Sequence, residues 1–263
     1  MKSELILSKM DAEATDPVRY FLDTDDDFLV VNEWLGRTVE FEHTGYQCKV
    51  CGSDEPIFRM GMCKKCFFES PYGGDWIVHP ELSKAHEDIE DRDLTFEKRM
   101  QLQPHYVYLA KTSGIKVGVT RKSQAPNRWI DQGADEALVI MQTPNRYLAG
   151  ITEVALKAHV NDKTGWRQML TERITEGSLT ETYEELKAYI PEETYDYLLE
   201  SPLSFRFRYP VLSYPSRITS VKLDKQKSFS GRLAGIKGQY LIFDDGRVLN
   251  VRNHEGYVVE IKL

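Results

Sequence analysis

Four cysteines occur in the 263-residue chain, as Cys48-x-x-Cys51 and Cys63-x-x-Cys66, with eleven residues between the pairs. Thiolates so spaced suit a tetrahedral cation: each short turn brings two sulfurs to one ion, and Gly52 and Gly61 supply the backbone freedom such turns need. Two disulfides, unmetallated thiols or an iron–sulfur cluster are the competing chemistries. The N-terminus has no basic-then-apolar pattern and there is no wider cysteine framework, so a reducing compartment is expected and disulfides are set aside. The symmetry of the pairs favours zinc over a cluster. Four protein ligands leave the ion no open position, so the expected zinc ribbon or knuckle stabilises a fold and leaves catalysis to other residues. His79 and His86 lie downstream at usable spacings and are read as ordinary histidines.

A second set of residues has a different character. From Pro104 to Ile130 there is no Asp or Glu, while Lys111, Lys116, Arg121, Lys122 and Arg128 all fall there. The chain as a whole carries a net charge of −7, with acidic residues gathered at Asp23–Asp27, Glu87–Asp93 and Glu181–Glu193. A solvated face accounts for such a cationic run, but in an acidic protein it also marks where a polyanion docks. No apolar stretch approaches the ~18 residues of a membrane span, so no membrane partner and a cytoplasmic location are expected.

The elements that must carry these residues are readable in outline. Phe28–Val31 and Val39–Phe41 are strand-like runs within an N-terminal region, residues 1–45, separated by the acidic turn Asp25–Asp27 and by Gly36. The metal-binding region and a charged linker, helical or extended, occupy 46–103. Tyr106–Ala110 and Ile115–Val119, joined by Thr112-Ser-Gly114, read as a hairpin. Pro126 opens a short helix through Asp131 that Gly133 stops, Ala137–Met141 is a third strand, and Arg146–Val160 is an amphipathic helix. Ser178-x-x-Glu181 is a capping box, and Pro191 opens one more helix. From Phe205 the period becomes two. Arg217–Leu223, Gly231–Ile236, Gln239–Phe243, Arg247–Val251 and Tyr257–Leu263 predict a barrel-like antiparallel module over 204–263, turned at Asp245-Gly246, with which the N-terminal strands have the option to pair. Trp34, Trp76 and Trp166 are expected in the core.

Within residues 104–203 the order Tyr106-Val-Tyr108, Lys116-Val-Gly118, Arg128-Trp129, Glu153 resembles the GIY-YIG nuclease superfamily over roughly residues 104 to 170. The resemblance implies an α+β chain whose middle domain is a three-stranded antiparallel sheet with flanking helices. It implies that Tyr108 and Gly118 are the motif tyrosine and glycine, that Arg128 contacts the scissile phosphate, and that Glu153 holds one Mg²⁺ or Mn²⁺ ion. Lys116 stands where the second tyrosine is expected, as in the K-I-G branches of the superfamily. Asn161 matches a polar residue that some members place late in the site, with His105, His159, Asp162 and Lys163 near the ends of the same elements. The whole chain also looks like an uncharacterised family of bacterial proteins.

Phosphodiester hydrolysis needs an activated water, a cation on the non-bridging oxygens and a fixed positive group. Glu153, Arg128 and either Lys116 or Tyr108 as base meet that list, with Lys111, Arg121, Lys122 and Arg128 as backbone contacts on DNA or RNA. A nucleic-acid-binding protein without catalysis and a protein-interaction scaffold are the two alternatives.

Overall fold

The computed structural model describes residues 2–24, 27–160, 165–171 and 177–263. Asp25 and Asp26 of the expected acidic turn, and Asn161, Asp162 and Lys163, lie outside the described residues. The chain divides into two compact units, one of residues 1–68, 170–172 and 207–263, the other of 69–169 and 173–206.

The first unit begins with β1 (Lys2–Ile6), the meander β2 (Asp11–Glu13), β3 (Arg19–Asp23), β4 (Phe28–Val30), and the long β5 (Thr38–Tyr46). Alternation along β5 turns Val39, Phe41 and His43 inward. The cysteine-bearing piece follows as β6 (Ile57–Arg59), β7 (Met62–Cys63) and the helix α1 (Lys64–Glu69). Arg59 pairs with Met62 across the two-residue loop Met60-Gly61. Both loop residues have positive φ, 54° and 72°, as the hairpin turn with the twist of its strands requires.

The second unit holds α2 (Leu94–Gln101), β8 (His105–Lys111), β9 (Ile115–Arg121), α3 (Asn127–Asp131), β10 (Glu136–Thr143), α4 (Arg146–Lys157), α5 (Trp166–Met169), α6 (Leu179–Leu186) and β11 (Leu198–Arg206). Its sheet runs β11-β10-β8-β9, all antiparallel, four strands where three were expected. The added strand is broken in sequence by Pro202 and mostly exposed, so it lacks the period-two signal; it sits at the sheet edge, where a proline is tolerated. The expected helix after Pro191 is a 3₁₀ turn, Glu192–Tyr197, and the charged stretch before Pro104 has 3₁₀ turns at Pro80–Leu82 and Ala85–Glu87 and is α-helical only from Leu94. Asn145 caps α4 by accepting from the Leu148 amide (3.0 Å), and Ser178 caps α6 as its capping box predicts. Val107, Leu109, Val117, Leu138 and Ile140 from the sheet pack with Ala149 and Leu156 of α4 in one core. Residues of that sheet that alternate with them, Tyr108, Lys116 and Gly118, belong to the opposite face.

The first unit closes with β12 (Thr219–Ser220), β13 (Ser228–Lys237), β14 (Tyr240–Phe243), β15 (Arg247–Asn250) and β16 (Tyr257–Lys262). These strands do not form a sheet of their own. The order is β1-β16-β5-β13-β14-β15-β12, so N-terminal strands pair with both β13 and β16, and β12 runs parallel to β15. The expected strand at Arg217–Leu223 shrinks to two residues, tied by Thr219 and Val221 amides to the carbonyls of Gly246 and Val248. Stacked and edge-on rings of Trp34, Phe41, Phe229 and Phe243, with centroids 4.6 to 6.5 Å apart, fill this core. Trp34 and Trp76 are buried, whereas Trp166 is only half-buried.

Candidate functional site

In the first unit the four cysteine sulfurs lie within 4.8 Å of one another. Cys51 Sγ and Cys63 Sγ are 3.9 Å apart, close to the ~3.8 Å edge of a tetrahedron with metal–sulfur bonds of about 2.3 Å. Local structure explains the convergence. The Cys48 amide donates to the Ser53 carbonyl and the Gly52 amide to the Cys48 carbonyl, closing the first turn with Gly52 at φ 71°. The Lys49 amide donates to Gly61, which ties that turn to the β6–β7 loop, and the Cys63 amide donates to Cys48 Sγ (3.3 Å). Cys66 is delivered by α1.

Burial raises the Cys48 thiol, yet the amides of Cys51, Cys63 and Val50 outweigh it and bring the group down to about 6. The Ser53 hydroxyl and amide lower Cys51, while burial and then the sulfurs of Cys51, Cys63 and Cys48 raise Cys66. A bound cation relieves that conflict by stabilising all four thiolates together. Four cysteines are thus positioned to bind a metal ion; among the described residues no other group of three or more histidines, cysteines and carboxylates is so placed. His79 and His86 are exposed and outside the cluster.

A second cluster lies in the other unit. Tyr108 on β8 pairs with Gly118 on β9, and a Cβ on Gly118 would stand 2.7 Å from the Tyr108 hydroxyl, so the ring lies across the glycine. Trp129 of α3 packs edge-on against that ring at 5.6 Å and against Phe205 at 4.6 Å. The same helix brings Arg128 to the Tyr108 hydroxyl, which also accepts from Gln132 Nε2 at 2.9 Å. Burial holds the phenol above its usual range; Arg128 and the Gln132 amide pull it down, and the Glu153 carboxylate pushes it further up. Tyr108, Gly118 and Arg128 are thus brought together from β8, β9 and α3, and the charge of Glu153 on α4 is felt at the same phenol.

Around them stand Arg146 and Glu81, which carried no signal in the sequence, and His105. Arg146 opens α4 and donates to the carbonyls of Trp76 (3.1 Å) and Ile77 (2.8 Å) while lying over the Trp76 ring. Burial lowers it to about 10, with Glu153 and Glu81 raising it and Arg128 and Arg121 lowering it. Glu81 is fixed because the Pro80–Glu81 backbone crosses Gly150 of α4, where a Cβ would meet the Glu81 nitrogen at 2.4 Å. His105 is fully buried, gives Nδ1 to the Gln103 carbonyl at 2.7 Å, and has Nε2 without a hydrogen-bond partner; burial, then Arg146 and Arg121, lower it to about 4. Glu153 is nearly buried and lies 3.7 Å from Lys157 Nζ, one helical turn on.

Of the remaining expected contacts, Arg121 is half-buried with Nη1 on Met100 Sδ, and Lys122 is exposed, reaching Gln142 Oε1 at 3.0 Å. Lys116 is buried on β9 opposite Ala110, two residues from Gly118. Lys111 closes the far end of β8, six residues or about 20 Å from His105, and donates to the Gly177 carbonyl. It stands at the opposite end of the β8–β9 pair from Arg121, which pairs with His105.

The chain belongs to the family described as protein of unknown function (DUF2797), which matches residues 36–259. No curated protein and no solved structure matches the chain.

Proposed function

Taking membership of that family as the premise, we propose that the protein acts on nucleic acid: the Tyr108–Arg128–Glu153 cluster binds the phosphodiester backbone and hydrolyses it with a Mg²⁺ or Mn²⁺ ion, while zinc at the four cysteines holds the β6–α1 segment. One observation carries this reading. The Tyr108 hydroxyl lies over Gly118 and meets Arg128, with the charge of Glu153 acting on it, and these residues follow the order and element types expected of a GIY-YIG-like nuclease.

Arg128 offers its guanidinium fork to a non-bridging pair of phosphate oxygens. Arg146, locked by two carbonyls, keeps the start of α4 and hence Glu153 in place and adds positive potential behind the phosphate. Tyr108, with its phenol raised by burial, orients Arg128 and does not serve as base. Lys116, on the same sheet face, takes the role of proton acceptor from water. A divalent ion there supplies charge neutralisation and an acidified water. The residues fit such an ion: Glu153 and Glu81 both bear on Arg146, and Glu81 Oε2 is buried with no hydrogen-bond donor, a state a cation would complete. One or two carboxylates with waters filling the octahedron is the habit of Mg²⁺.

A second reading keeps binding without hydrolysis. The buried, raised phenol of Tyr108 favours it, because the base then rests on Lys116 alone. Nicking of supercoiled plasmid and of branched DNA and RNA in Mg²⁺ or Mn²⁺ decides between them. Glu153→Gln is expected to lower the rate at least ~100-fold with zinc content unchanged. Equal cutting by the variant refutes the hydrolytic assignment, and salt-dependent retention without any cutting selects the second reading.

A further inference from the structure

The hairpin and helix that carry Cys63 and Cys66 expose an unusual surface. Phe58, Phe67 and Phe68 form a closed set of rings, with centroids 5.3, 5.7 and 5.3 Å apart, yet Phe58 remains 43% and Phe68 56% exposed. Met60 at the loop tip, two residues from Phe58, and Val50 on the first cysteine turn are exposed as well. Scattered surface apolar residues need no explanation, but three contiguous rings on a segment this small do. Buried neighbours explain the position of the segment: Cys48, Met62 and Cys63 form its core, with Ile57, Cys66 and Phe67 packed against them. They leave the outer faces of Phe58 and Phe68 unused.

One cation lies against two of those rings, and two more precede Phe67 in sequence. The Arg59 guanidinium lies 5.6 Å from the Phe58 centroid and 6.0 Å from that of Phe67, and Lys64 and Lys65 at the start of α1 are exposed. Beside them opens a cleft of about 580 Å³ whose lining includes Phe58, Arg59, Lys49 and Arg252. Glu255 is the one acidic residue in that lining, and it is shared by Lys49 at 3.5 Å and Arg252 at 3.8 Å. Two cations on one carboxylate leave net positive charge for a ligand.

We propose that this face is a docking surface for single-stranded nucleic acid, with bases stacked on Phe58 and Phe68 and the phosphate backbone drawn along Arg59 and the Lys49–Arg252 cleft. Flat π faces meet any base, and flanking cations track the backbone, so the combination is tolerant of sequence and selective for unpaired strands. A protein partner of apolar surface would have to desolvate Arg59 to reach the rings, which disfavours it. The choice of a nucleic acid rests on the functional reading above, but the surface lies in the unit without the Tyr108 cluster, so binding is separable from cleavage.

The test is fluorescence anisotropy with labelled oligothymidine and oligouridine of about 15 nucleotides, against a duplex of the same length, using the full zinc-loaded chain without added Mg²⁺. Wild type is expected to bind the single strands more tightly than the duplex. Phe58→Ala and Phe68→Ala should each weaken binding about tenfold. Phe58→Tyr, which preserves a stacking face, should restore it, and Phe58→Leu, which preserves only apolar area, should not. Arg59→Gln should lower the slope of log affinity against log salt by about 0.7. Zinc content and melting temperature control for folding. Unchanged affinity in the double alanine variant, rescue by leucine equal to tyrosine, or preference for duplex would each overturn the proposal. Loss of cleavage in Glu153→Gln with binding retained separates this surface from the hydrolytic cluster.

Discussion

The cysteine centre and the Tyr108 cluster are opposite solutions to holding charge. At the cysteines, four like ligands come from 19 consecutive residues, Cys48 to Cys66, and face one point, so a metal there is enclosed and its work is structural. At the other centre, Arg121 and Arg128 act on the buried Arg146 against the counter-charges Glu153 and Glu81, with ligands drawn from separate elements. On the proposed reading, the first region would owe its fold to its ion, whereas the second would owe its ion and substrate to its fold. Breaking each should therefore look different.

The largest effect belongs to the cysteines. Cys63→Ser removes a buried ligand from a centre whose formation is worth about 10–16 kcal/mol in small zinc domains, so zinc per chain should fall from one toward zero by elemental analysis, and amides of residues 46–69 should lose exchange protection. The second unit should keep its thermal transition. If that transition were lost too, the two regions would not be separable in the way their contacts indicate.

The buried cationic centre should respond to pH. His105 is held near 4 in the folded chain against about 6.5 unfolded, so above pH 6.5 it contributes nothing, and between 6.5 and 4 the unfolded chain takes up a proton the folded one refuses. Stability should fall by about 3 kcal/mol across that window and then level off. His254 in the first unit, also lowered by burial, adds a loss of the same sign. Urea midpoints from pH 7.5 to 4 measure the sum, and His105→Gln should remove the larger part from the second unit's transition.

Glycine approaches give the smallest effects and sharpen the contrast within the cluster. Gly150→Ala forces a methyl into the Glu81 backbone, which cannot rotate away, and should cost about 1–3 kcal/mol. Gly118→Ala meets the end of the Tyr108 side chain, which can shift, and should cost less stability while lowering cleavage. A larger loss of stability at Gly118 would mean that Tyr108 is held chiefly for packing.

Legibility in the sequence followed the same divide. Ligand type and spacing carry the cysteine centre because its geometry is local: two turns, a two-residue hairpin and one helical turn. Period and caps likewise announced β8, β9, β10, α4 and α6. The contributions of Arg146 and Glu81 were invisible, since a residue opening a helix and one in a 3₁₀ turn become neighbours only when Pro80 crosses Gly150. The edge strand β11 was masked by Pro202 and its exposure, and the sharing of one sheet between β1, β5 and β16 was open in the sequence only as an option, because pairing across more than 200 residues leaves no local trace.

Titration of the zinc-loaded protein with Mn²⁺, followed by water proton relaxation, requires no knowledge of the substrate and bears directly on the contrast between an enclosed and an open metal site. One exchangeable Mn²⁺ per chain, displaced by Mg²⁺ and abolished by Glu153→Gln while zinc stays at one per chain, is the expected result. Mn²⁺ binding that is absent, or that survives Glu153→Gln unchanged, would contradict it.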